Sequence, residues 1–197
     1  MISRSAQRRA ARAARRNIPP AVRRQLARQV AGHVLRLRHL RPGQNVAAYL
    51  PTGAELDTRE LLRRMLTRGC TLYLPRIESW RSSRMRFIAV DSGPLRRNRL
   101  GIDEPTGQHC LGARWMNIVL LPLVAFDARG NRLGSGAGFY DRVLAFRARR
   151  RHWRGPLLLG LAFAAQGVDH IDHGPHDIPL DGVITEQGLT LFARDRP

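Results

Sequence analysis

Apolar positions along the chain follow two periods, and the two alternate from one end to the other. Residues 117–126 are an almost unbroken apolar run, Ile118-Val-Leu-Leu-Pro-Leu-Val-Ala-Phe126. A strand with one wet face would alternate, so this run predicts a strand buried on both faces of a sheet. Leu157–Phe163 has the same character, and Val46–Leu50 and Thr71–Pro75 read as shorter strands. Met85–Ala89 alternates weakly, which suits an edge strand, and Val183–Thr185 with Leu189–Ala193 could finish the sheet.

Helical spacing fills the gaps. Arg4, Arg8, Arg12 and Arg15 or Arg16 recur on one face of a first helix. Pro19-Pro20 starts a second, with Val22, Leu26, Val30 and Val34 as its buried stripe and Arg41-Pro-Gly43 as its end. A third turns Leu61, Leu62, Met65 and Leu66 inward, is capped by Asp57 or Thr58, and closes at Gly69. Phe139, Val143, Leu144 and Phe146 fall near helical spacing after Gly138. Residues 91–114 read as irregular. With no internal repeat or long linker, the pattern predicts one α/β domain over residues 1–197.

The join between the central strand and the fourth helix carries the chemistry. Asp127–Asn131 reads as a turn punctuated by Gly130-Asn131, and Gly134, Gly136 and Gly138 follow at alternate positions. Glycine lets backbone approach a bulky anion and tolerates φ > 0. Strand, glycine loop and helix start together make an anion site. The spacing is neither Gly-x-x-x-x-Gly-Lys-Ser/Thr nor Gly-x-Gly-x-x-Gly, so the pattern alone leaves a phosphate loop and a plain tight turn both open. Asp141 falls in the first helical turn, where it can cap the helix or reach a divalent ion on the phosphates.

Charge adds a second candidate function. The chain of 197 residues carries net charge +19, and each of its 34 basic side chains is Arg. Such charge suits nucleic acid or small anionic substrates. No helix-turn-helix pattern appears and only 6% of residues are aromatic, so a reading surface for bases has no visible parts. No run of about 18 apolar residues predicts a membrane span. The basic N-terminus has no apolar h-region, and it is read as a helix of the mature protein rather than a signal or transit segment. Cys70 and Cys110 lack metal-type spacing and read as buried free thiols in a reducing cytoplasm.

Taken whole, Phe126-Asp127, Gly130 and Arg132-Leu-Gly-Ser-Gly-Ala-Gly-Phe-Tyr-Asp-Arg142 resemble the signature of the 5-formyltetrahydrofolate cyclo-ligase family. The resemblance extends to the N-terminal basic pair, here Arg4 and Arg8, to Gly101-Ile-Asp-Glu-Pro105, and to Gln166 and Pro175–Thr185. It implies a central, mostly parallel sheet flanked by helices, of the ribose-phosphate isomerase and CoA-transferase type. It implies ATP and a reduced folate as substrates, Mg2+ as cofactor, a monomeric cytoplasmic enzyme, and no specific nucleic-acid or membrane partner. By the same resemblance Arg4, Arg8, Arg132, Leu133, Gly134, Ser135, Gly136, Ala137, Gly138, Phe139 and Tyr140 bind ATP. Arg8, Glu55 and Tyr140 meet the folate, and Asp141 and Asp177 hold magnesium. The helix over residues 1–18 thereby belongs to the site. Position 4 is Arg where the family usually has Lys, and Phe139 stands where many members have Tyr. Arg binds phosphate as a fork rather than a point charge.

Arg147, Arg149, Arg150, Arg151 and Arg154 form a basic run, read as a solvated helix end in preference to an attractor for folate polyglutamate tails. His170, His173 and His176 sit three apart beside Asp169 and Asp172, but Gly174-Pro175 breaks any helix that would align them on zinc. Asp181 reads as structural. The alternative function is an Arg-rich nucleic-acid binder on the same fold without catalysis. Against it stand the acids Glu55, Asp141 and Asp177, which a phosphate-backbone binder would not need in its most basic cleft. The expected binding to duplex DNA is non-specific and falls by about a thousandfold or more between low and physiological salt. Sequence-selective binding that survives that salt range in a filter or anisotropy assay would favour the alternative.

Overall fold

The computed structural model describes residues 3–90, 93–98, 101–149 and 155–193. Its first two helices are α1 (Arg4–Asn17) and α2 (Pro20–Leu35), and β1 (Asn45–Ala47), α3 (Arg59–Thr67), β2 (Thr71–Ser79) and β3 (Arg84–Ala89) follow. Three short strands, β4 (Leu95–Arg97), β5 (Asp103–Pro105) and β6 (Cys110–Leu111), precede β7 (Ile118–Pro122). Next come β8 (Ala125–Phe126), β9 (Arg132–Leu133), α4 (Phe139–Leu144), α5 (Phe146–Arg149), β10 (Leu157–Leu161), β11 (Gly182–Thr185) and β12 (Gly188–Leu191). The main sheet runs β12-β11-β10-β7-β1-β2-β3-β6. Its five inner strands, β11 to β2 in that order, pair parallel, and the strands outside them pair antiparallel.

Burial explains why the central strands do not alternate. Val46, Leu72, Leu74, Ile118, Leu120, Leu159 and Ile184 pack on one face with α2 and α3. Their neighbours Ala47, Tyr73, Val119, Leu121, Leu158 and Val183 pack on the other with Leu144 of α4. Both faces are dry, so both parities are apolar. Each fully buried Leu or Ile contributes about 1.5–3 kcal/mol.

Several expected boundaries move. The apolar run does not form one strand: β7 ends at Pro122, and Ala125–Phe126 turns off to pair with β9. α2 ends at Leu35 rather than near Arg41, and its inward face is Ala27, Val30, Ala31, Val34 and Leu35. Val22 is 40% exposed because α2 buries only its later turns, and Leu66 is 44% exposed because α3 turns Leu61, Leu62 and Met65 to the core instead. The first strand stops at Ala47, short of Leu50. β3 is no edge strand, since β6 pairs with it, and the stretch read as irregular contains β4, β5 and β6. Asp57 rather than Thr58 meets the free amide at the start of α3, accepting from Arg59 at 3.0 Å, while the Thr58 hydroxyl donates to the Tyr49 carbonyl. Cys70 is buried as expected, but Cys110 is exposed on β6.

The basic run resolves in part. Arg147 is neither solvated nor free for a ligand: it donates to Asp181 at 2.8 Å and to the Pro156 carbonyl. Asp181, 7% exposed, also accepts the Leu158 amide at 2.8 Å, which bears out its structural reading. Arg150, Arg151 and Arg154 lie outside the described residues. The close approach of β11 to β12 needs a residue without a side chain. A Cβ at Gly182 would lie 2.7 Å from the Thr190 carbonyl oxygen, which is backbone and cannot swing aside. Gly182→Ala is therefore expected to cost about 1–3 kcal/mol, read as a lower urea midpoint at unchanged slope.

Candidate active site

The glycine loop, residues 134–138, leaves β9 beside α1. Its carbonyls are anchored: Gly134 accepts from Arg8 Nε at 2.9 Å, Ser135 from Arg12 at 3.3 Å, and Ala137 from Ser83 Oγ at 3.0 Å and Arg142 at 3.1 Å. Among the described residues, the amides of Ser135, Gly136, Ala137 and Gly138 donate to no protein acceptor. Gly136 has φ +116° and Gly138 φ +69°, conformations that turn successive amides outward and that side-chain-bearing residues avoid. Carbonyls tied back and amides left open make a concave donor surface. α4 is only six residues long, so what the loop offers an anion is these amides rather than a helix dipole.

α1 has no apolar stripe; its buried residues are Ala11 and Arg15. Ala11 packs against Val124, Ala125, Leu133 and Ile171, and polar side chains make the other contacts. Besides the Arg8 and Arg12 contacts, Gln7 donates to the His170 carbonyl at 2.8 Å, and Arg4 pairs with Asp177 at 2.9 Å. Burial and the neighbouring Arg4 and Arg12 guanidiniums lower the Arg8 pKa, partly offset by Asp177.

Beneath the loop lies a buried guanidinium. Arg132, 6% exposed, donates to Asp141 at 2.6 Å and to the Ile178 carbonyl. The Ile178 amide in turn donates to Asp141 at 3.2 Å. Asp141 and Asp177 thus come together through one peptide, although 36 residues separate them in the chain. Asp177 also accepts the Gly174 amide at 2.8 Å. Leu133 is fully buried, so only its backbone can take part in a site.

Glu55 sits in the loop after β1, where one carboxylate oxygen accepts the Thr52 amide at 3.0 Å. Tyr49, Arg15 and Tyr140 are its electrostatic neighbours. The Tyr140 hydroxyl is buried without a partner, as is Arg15 Nε. Phe139 packs edge-on against Trp80 with ring centroids 5.3 Å apart, which joins the loop to the end of β2. Beyond it opens a cavity of about 800 Å³ whose walls include Arg76, Trp80, Arg81 and Arg96.

Some residues of the motifs brace the fold. Asp127, 1% exposed, accepts the Arg129 and Asn131 amides at 3.0 Å and the Ile171 amide at 3.0 Å. Gln166 donates to the Leu123 and Val124 carbonyls, and Glu104 of the Gly-Ile-Asp-Glu-Pro segment accepts from Ile77 and Asn98. Among the described residues no group of three or more His, Cys, Asp or Glu could hold a metal. No helix among them is long and apolar enough to cross a membrane. Sequence reasoning missed Tyr49, Trp80 and Ser83 as neighbours of the site. It left Arg15 and Arg16 undivided; the structure buries Arg15 and exposes Arg16.

A mostly parallel α/β sheet with a glycine loop of open amides and acids beyond its strand ends is an architecture common among enzymes. The 5-formyltetrahydrofolate cyclo-ligase family model matches residues 1–186, and the chain belongs to that family of enzymes. It is 31% identical over 175 residues to the 5-formyltetrahydrofolate cyclo-ligase of Haemophilus influenzae, covering 86% of this chain and 90% of that one. It is also 31% identical over 174 residues to the enzyme of the same name from Escherichia coli K12, covering 87% and 93%. The solved structure of Aquifex aeolicus 5,10-methenyltetrahydrofolate synthetase superposes with TM-score 0.82 at 27% identity, over 98% of this chain and 95% of that one.

Burial pushes the phenols of Tyr49 and Tyr140 up from their ordinary value of 10.0, with Glu55 reinforcing the effect on each. The unfolded chain therefore ionises first. Stability from these phenols is fully present below pH 10 and is lost as pH rises above it. The urea midpoint is expected to fall above pH 10, in step with phenolate absorbance appearing only on unfolding, and Tyr140→Phe should flatten part of that fall.

Proposed function

We propose that the protein converts 5-formyltetrahydrofolate to 5,10-methenyltetrahydrofolate with consumption of ATP to ADP and phosphate. The open amides of Ser135–Gly138, held outward by anchored carbonyls, carry this reading, because they suit a phosphate chain. The chemical difficulty is that a formyl oxygen is a poor leaving group. Transfer of the γ-phosphoryl group from ATP to that oxygen makes it a good one. N10 then attacks the formyl carbon, the ring closes, and phosphate leaves. No protein nucleophile is needed; the chain has to hold the two substrates in line and balance charge.

In this reading the loop amides take phosphate oxygens, and Arg4 and Arg8 add positive charge along one side. Phe139 and Tyr140 close the apolar wall behind them. Glu55 accepts paired N–H donors from the pterin edge. Arg132 supports the site from below by fixing Asp141 rather than by touching ATP. Magnesium fits the donor set: Asp141 and Asp177 supply hard oxygens, and two carboxylates plus water and phosphate are a common way to hold it. When bound, it would neutralise charge on the nucleotide phosphates.

Burial sets which acid tests this. Asp141 balances a guanidinium that is 4% exposed, so Asp141→Asn should cost about 3–5 kcal/mol of stability as well as activity. The Arg4–Asp177 pair is more exposed and contributes about 1 kcal/mol or less. Asp177→Asn is therefore expected to melt near wild type while slowing ring closure about a hundredfold, relieved in part by excess magnesium. The assay follows methenyl-folate absorbance with ADP release. Wild-type protein that forms no methenyl product from 5-formyltetrahydrofolate and Mg-ATP would overturn the assignment.

A further inference from the structure

Among the described residues, Ser83 is the only one other than glycine with a positive φ, +46°. A side chain in that left-handed region is strained, and such strain persists where the surrounding structure holds it in place. The residue ends the turn between β2 and β3: its amide donates to the Trp80 carbonyl at 3.4 Å, and it is 9% exposed. Glycine would take this backbone at lower cost. What the serine adds is a hydroxyl, which donates to the Ala137 carbonyl at 3.0 Å across 54 residues of chain. Phe139 packs edge-on against Trp80 of the same turn. The hairpin therefore grips the glycine loop on both sides of Gly138.

The consequence follows from the geometry of one peptide. The Ala137 carbonyl and the Gly138 amide belong to the same planar trans unit and point in opposite directions. Drawing the carbonyl toward the hairpin turns the Gly138 amide the other way, where no described residue accepts from it. Arg142 also donates to the Ala137 carbonyl at 3.1 Å, but it lies five residues on, in the helix that the loop enters, so its bond moves with the loop. The Ser83 bond fixes this peptide against the main sheet. We infer that Ser83 is a positioning residue for the nucleotide: its hydroxyl aims the Gly138 amide at a phosphate oxygen of ATP. The inference rests on the ATP reading above and adds to it a residue far from the glycine motif in sequence.

The test is calorimetric binding of Mg-ATP to the full chain, with urea unfolding alongside, for Ser83→Gly and Ser83→Ala. Both variants lose the hydroxyl, but only glycine relieves the backbone strain. ATP affinity is expected to fall about three- to tenfold in both, the range of one hydrogen bond. The urea midpoint should stay near wild type in Ser83→Gly and drop in Ser83→Ala. In the ring-closure assay, KM for ATP should rise by the same factor while KM for 5-formyltetrahydrofolate is unchanged. Ser83→Thr keeps the hydroxyl and should hold ATP affinity near wild type at a lower urea midpoint, since a branched side chain is worse placed at positive φ. A residue that only shapes the turn would let Ser83→Gly bind ATP as the wild type does. That result, or an equal loss of affinity for the folate, would overturn the role of Ser83. Wild-type protein that binds no Mg-ATP would overturn the nucleotide reading itself, which a loss confined to the variants leaves standing.

Discussion

One guanidinium, that of Arg132, holds the site together. It is buried, it bonds to Asp141, and it bonds to the Ile178 carbonyl from a distant part of the chain. A planar fork can satisfy a carboxylate and a carbonyl at once in fixed directions, which a flexible ammonium does less well. The result is a rigid link between the helix after the glycine loop and the segment before β11. Two acids that composition alone would scatter are thereby set on adjacent sides of one peptide.

Around this link the site is assembled almost wholly from polar contacts. α1 gains little from the hydrophobic effect, since its apolar contact with the core is made through Ala11 against Val124, Ala125, Leu133 and Ile171. Its arginines bond to loop carbonyls, and those bonds keep the loop amides facing away from the protein. Docking of the helix and the presentation of the loop amides are therefore coupled. The sheet makes this possible: both faces are sealed by apolar side chains, so polar chemistry collects in the loops beyond its strands.

The charge of the chain does several jobs. Arg132, Arg147, Arg68 and Arg76 each donate to a backbone carbonyl and brace the fold. Arg4, Arg8, Arg12 and Arg15 fall on one face of α1. A high net charge therefore does not by itself mark a nucleic-acid surface, because part of it is spent inside the protein's own hydrogen bonding.

Periodicity and spacing alone determined the α/β class, a doubly buried strand within residues 117–126, the turn at 127–131, and the glycine loop leading into a helix. These are local: they follow from which side chains are apolar and which backbone angles glycine allows. The distinctive string around Gly134–Gly138 also made the family legible. Tertiary structure decided the rest. Only packing could break the apolar run at Pro122, expose Val22 and Leu66, and place β6 outside β3. Only packing could turn Arg147 inward onto Asp181, separate Arg15 from Arg16, and show that Asp141 is balanced by a buried Arg132 while Asp177 meets the more open Arg4. Those outcomes depend on what a residue meets across the fold and how much water remains around it, and neighbours along the chain carry no record of either.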